Sequence, residues 1–166
     1  MRWFRSQQDA PSLRPSTVVG GWLRAMLLNQ GDLTKQLNTS LNHGKPGWND
    51  DEPAVVGALC EIAVLEYFGV DYDVRAITSF VSQMRSQIHS VAPPEQLATE
   101  ALIRSALGEA DVATDDIKGG QKWVIQISVL TQVSLRLGWD EAAIDRRIVA
   151  AERVAFERGW NPPLAA

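Results

Sequence analysis

Apolar and polar positions along this chain recur mostly at spacings of three and four, the signature of helices with one buried stripe. Val19, Trp22, Leu23, Met26 and Gln30 share a stripe and predict a first helix over 17–30, weakened at its start by Gly20-Gly21. Gly31-Asp32 reads as a stop and restart. A short second helix follows, with Leu33, Leu37 and Leu41 as a thin apolar line. Over 53–68 the chain is apolar nearly all round (Val55, Val56, Leu59, Ile62, Val64, Leu65), as expected of a helix at the centre of a bundle. The cleanest amphipathic pattern spans 73–90, where Val74, Ile77, Val81, Met84 and Ile88 step along one face; Pro93-Pro94 is its expected end. A further helix is expected over 95–107, closed by Gly108. The last, over 140–158, has Ile144, Ile148, Ala151 and Ala155 inward and a charged outer face.

One stretch carries both periods. From Trp123 to Leu137 every odd position is apolar or Thr, which is a strand pattern. The same run places Trp123, Ile127, Leu130, Ser134 and Leu137 at helical spacing. A strand of that length is rare and a helix of that length is ordinary, so length favours a helix.

Two corners punctuate the chain: Tyr67-Phe68-Gly69-Val70-Asp71 and Arg136-Leu137-Gly138-Trp139-Asp140. In each, a Gly after an apolar run suits a left-handed helix end. An Asp two residues later suits the cap of the next helix. The helices after the two glycines differ in apolar register, so the corners share grammar without a repeat. The expected fold is all-α, an irregular bundle of about six helices around the two apolar helices 53–68 and 123–137. Residues 1–16 form an N-terminal arm, 17–160 a single helical domain and 161–166 a tail.

A chain of 166 residues suffices for a core without disulfides or metals. Its net charge of −4 and pI near 5.2 argue against nucleic acid as a partner, since that binding draws on Lys and Arg against phosphates. The lone Cys60 sits inside an apolar run, as suits a reducing, cytoplasmic setting. The apolar runs are too short or too often interrupted by charge to span a membrane. Arg outnumbers Lys and Ala is frequent, which points to a GC-rich, bacterial genome.

Motifs for chemistry are tested and found wanting. Gly44-Lys45-Pro46-Gly47 lacks the spacing of a phosphate-binding loop, and Pro46 removes a backbone donor. Neither His43 nor His89 follows a Glu at the spacing of a di-iron helix pair. Cys60 in mid-helix would hold a neutral, unreactive thiol. No cofactor and no metal are expected. Glu61 and Glu66 lie on the most buried helix; either they pair with Arg24, Arg75 or Arg104, or they line a pocket.

The polar loop 42–52 is the longest inside the domain and the best candidate for function. His43, Lys45, Trp48 and Asp50 would give it a hydrogen-bonding rim around one aromatic. Equally, Trp48 would simply pin the loop to the bundle. Trp3 and Phe4 in the arm either fold back onto the domain or anchor a partner or an acidic membrane surface. Trp139 and Trp160 read as residues packed across helix ends or, where exposed, as interface anchors.

The leading expectation is therefore a non-enzymatic protein-interaction or regulatory module, in an adaptor, chaperone-like or inhibitor role. Its partner-binding surface would comprise Trp3, Phe4, His43, Lys45, Trp48 and Asp50, its partner another protein or a second copy of itself. The alternative is a helical small-molecule-binding protein or enzyme, with a pocket between the central helices served by Glu61, Glu66 or His89.

Overall fold

The computed structural model describes residues 13–42, 44–89 and 92–166. These residues form seven α-helices: α1 (Val18–Leu27), α2 (Gly31–Asn38), α3 (Asp51–Phe68), α4 (Val74–Ser86), α5 (Gln96–Ala106), α6 (Gly119–Leu137) and α7 (Glu141–Glu157). The only β-type pairing among them is an isolated bridge between Thr17 and Leu164. The count is one above the expected six or so; α2, expected as a short helix with a thin apolar line, has no buried residue.

α3 is the axis of the bundle and packs against α7, α6, α5 and α1. α7 runs antiparallel to it, since Arg158 at the end of α7 meets Glu61, and Arg147 near its start meets Glu66. α6 runs parallel to it: Gln126 lies beside Gly57, and Arg136 donates to the Tyr67 hydroxyl ten residues on. Val55, Val56, Leu59, Ala63 and Val64 of α3 meet Ile125, Val129, Leu130 and Val133 of α6 in one buried cluster. The two-period stretch is thus a helix. α6 has neighbours on more than one side (α3, α5 and α4), so its apolar stripe is wide enough to read as alternation. Leu137, expected inward, is 38 % exposed at its end.

Several boundaries differ from the sequence expectation, each for a local reason. α1 is stopped by Asn29 in the left-handed region (φ 57°), with the Gln30 N–H bonded to the Ala25 carbonyl; Gly31 instead opens α2. α4 ends at Ser86, short of the expected 90 and before the prolines. Its last turn tightens as Gln87 and Ile88 donate three residues back, to Met84 and Arg85. α3 begins at Asp51, two residues before the expected 53, and the Asn49 side chain accepts the Asp51 N–H at 3.0 Å.

The outer face of α7 is less solvated than its charge suggests. Asp145 and Glu152 are both buried. Glu152 accepts from Ser16 N, Thr17 N and the Thr17 hydroxyl (3.0, 2.8 and 2.7 Å), holding the start of α1 against α7. Asp145 accepts from Arg24 Nε at 2.7 Å. A Val18 N–H to Pro163 O bond of 2.8 Å and an Ala165 N–H to Ser16 O bond of 2.9 Å fasten the C-terminal tail beside α1. The tail's Asn161 N–H also reaches Asp51 at 3.2 Å, bringing Trp160 to the N-terminal end of α3.

Candidate functional site

A cleft of about 320 Å³ opens where the N-terminal ends of α3 and α6 meet the 44–50 loop and the C-terminal tail. Its room comes from small residues. Ala54, Gly57 and Ala58 lie along one face of α3, at helical spacing, and Gly119 faces them from the first turn of α6. Glu61 continues the α3 stripe by one turn. On α6, Gly119, Lys122 and Gln126 form the matching stripe.

Three tryptophans wall the cleft. Trp48 comes from the loop, Trp123 from α6 and Trp160 from the tail. Trp48 is half-buried with its indole nitrogen enclosed, and its ring approaches Gly119 so closely that a Cβ there would lie 3.3 Å from it. Trp123 is buried and backed by the Trp22 ring, centroids 5.5 Å apart. The loop is closed at its base by the Asn42 N–H to Glu52 bond of 2.6 Å, with Glu52 almost fully buried.

The charged groups divide into committed and free. Arg158 grips Glu61 through two hydrogen bonds of 3.1 and 2.8 Å, so each neutralises the other. Lys122 and Gln126 are half-buried, and their side chains make no hydrogen bond or ion pair with any described residue. Asp50 is exposed at the mouth and makes no capping bond. α6 starts without a side-chain cap and without an acidic residue in its first turn. A second, narrower space of about 110 Å³ shares Gly57, Glu61 and Gln126 with the cleft and is lined also by Cys60. There burial pushes the Cys60 thiol up to about 12, so it is neutral and a poor nucleophile.

The residues singled out in the sequence separate accordingly. Trp48, Asp50 and Glu61 converge on the cleft. Lys45 instead donates from Nζ to the Thr39 carbonyl at 2.6 Å, an exposed bond that folds the loop onto the end of α2. Glu66 lies five residues beyond Glu61, bound to Arg147 at 2.6 Å with the Trp139 indole N–H at 3.4 Å. Those Arg147 hydrogen bonds hold its carboxyl below the usual carboxylate range. Glu61 and Glu66 therefore pair with arginines of α7. Of their expected partners, Arg24 binds Asp145 and Glu141, and Arg104 binds Glu109. His89 is exposed after α4 and does not line the cleft. Trp3, Phe4 and His43 lie outside the described residues.

Lys122, Gln126 and Trp123 were not legible in the sequence as site residues, and Trp160 was legible only as an interface anchor if exposed. One signal was present: Gly119, Lys122 and Gln126 recur at the spacing of one helix face. No group of three or more His, Cys, Asp or Glu side chains is placed to hold a metal ion among the described residues. None of their helices is long and apolar enough to cross a membrane. No known family model matches the chain, and neither the curated proteins nor the solved structures contain a match to it.

Proposed function

We propose that this chain is a non-enzymatic helical protein that binds a small molecule in the cleft between α3, α6 and the 44–50 loop. The observation that carries this reading is the convergence of Trp48, Trp123 and Trp160 with two half-buried polar side chains, Lys122 and Gln126, that the fold leaves uncommitted. Ligand sites combine these ingredients: an apolar, partly aromatic wall with a few polar groups aimed into it, in a volume from about 300 Å³ upward. Catalysis draws no support from the cleft, because Glu61 is held by Arg158 and the Cys60 thiol is protonated.

A fragment screen followed by backbone amide NMR tests it. Hits should shift Trp48, Gly119, Lys122 and Gln126, and Gly57→Leu, which fills the cleft from α3, should abolish them. Shifts elsewhere, or hits that survive Gly57→Leu, would overturn the reading.

A protein-interaction module is the second reading. It draws on Trp160, 38 % exposed at the mouth, where a partner's side chain could enter the same cleft. A pull-down from native lysate with a Trp3→Ala/Trp48→Ala control separates the two. A stoichiometric protein lost with the double variant would favour the partner.

A further inference from the structure

Resting on the cleft reading above, we infer that the ligand is a planar aromatic molecule carrying a single carboxylate. The walls set the body of the ligand. Trp48, Trp123 and Trp160 all line the cleft, and aromatic pairs gain beyond their area burial, which favours an aromatic ring over a flexible polar chain. Trp123 is held from behind by Trp22, and Trp48 by its contact with Gly119, so both are placed before any ligand arrives.

The free charges set the ligand's charge. Arg158 is spent on Glu61, which leaves Lys122, among the described residues, as the uncommitted cation of the lining. It is half-buried on the stripe that faces α3, one turn from Gln126. An ammonium partly withdrawn from water and lacking an acceptor gains from an anionic group brought to it. Gln126 supplies an amide that can donate to the same carboxylate or accept from a ring N–H or hydroxyl. Asp50, exposed at the mouth, repels a second negative charge, so a monoanion fits better than a phosphate dianion. A cationic ligand would have to sit beside Lys122 with no free carboxylate other than Asp50 to offset it.

Four matched probes test this on the whole chain by amide NMR titration: 2-naphthoate, 2-naphthalenemethanol, 2-naphthylmethylammonium and 2-naphthyl phosphate. 2-Naphthoate is expected to shift Gly119, Lys122 and Gln126 and to bind about tenfold more tightly than the alcohol, the effect of one charge-assisted hydrogen bond. Lys122→Gln should remove that tenfold preference, whereas Lys122→Arg should retain it. Circular dichroism of each variant confirms that it is folded. Equal binding of all four probes, preference for the ammonium or the phosphate, or a 2-naphthoate affinity unmoved by Lys122→Gln would overturn the carboxylate inference and leave the cleft as a binding site. Failure of every probe to shift the cleft amides would overturn both.

Discussion

The seam between α3 and α7 carries the same ion pair twice, and the two copies differ in what surrounds them. At each, a glutamate of α3 accepts two hydrogen bonds from an arginine of α7, with tryptophan nearby. Around Glu66 the Trp139 ring lies against the Arg147 guanidinium, 4.5 Å from its centroid, and its indole N–H adds a bond to the carboxylate. Around Glu61 the neighbours are Gly57, Ala58 and a cleft. The Arg147 side chain is 22 % exposed and that of Arg158 is 51 %. The pairing chemistry is therefore not what distinguishes a candidate site from a structural strut. The volume of the residues one turn away does so, because small side chains on facing helices leave space that an ion pair alone does not fill.

The largest expected effect tests whether the far end of α3 is structural only. Phe80 is 2 % exposed and lies among the rings of Tyr67 and Phe68, with the Arg136 guanidinium 4.6 Å from its centroid. Phe80→Ala should cost about 3–5 kcal/mol in urea unfolding. Its cleft amides should still respond to ligand as the parent's do, and a lost response in a folded variant would show that the two ends are coupled.

Next comes the covered ion pair. Solvent still reaches Glu66, so Glu66→Gln should cost about 0.5–1 kcal/mol at neutral pH. Because the folded-state carboxyl is depressed, its stabilisation is complete above the unfolded value, near the ordinary glutamate range, and fades as pH falls through the folded value. The Tm gap between parent and variant should therefore close on acidification below that range. A gap that persists at low pH would mean that packing, not charge, is lost.

The smallest effect belongs to the open pair. Glu61→Gln should change stability by no more than about 0.5 kcal/mol, as at other half-exposed pairs. It should also release Arg158 as a second cation beside the cleft and increase the affinity for an anionic probe. A fall in that affinity would place Glu61, rather than Lys122, at the centre of recognition.

The corners show how far local grammar reaches. Arg136-Leu137-Gly138-Trp139-Asp140 folds as it reads: Gly138 is left-handed (φ 63°, ψ 42°), and Asp140 accepts the Ala143 N–H at 2.7 Å. Its twin does not. Gly69 has a positive φ but an extended ψ of −179°, and the cap of α4 is Asp73, accepting from Arg75 N, while Asp71 is bypassed. Both readings used the same residue types. The chain after Gly69 takes two further residues to turn, and the capping position moves with it.

Local composition alone determined that the chain is helical, that α3 is apolar nearly all round, and roughly where each helix starts and stops. Those properties depend on periodicity and on backbone preferences within a few residues. Tertiary structure decided which charges are buried. Glu52, Asp145 and Glu152 occupy helical positions where a carboxylate ordinarily faces water, and the loop, the α1 terminus and Arg24 brought against them make burial tolerable. It also decided the cleft. Trp48, Trp123 and Trp160 are separated by dozens of residues, and nothing local to any one of them signals the other two. A cleft is a gap between elements, so it exists only once helix packing has set which small residues face each other.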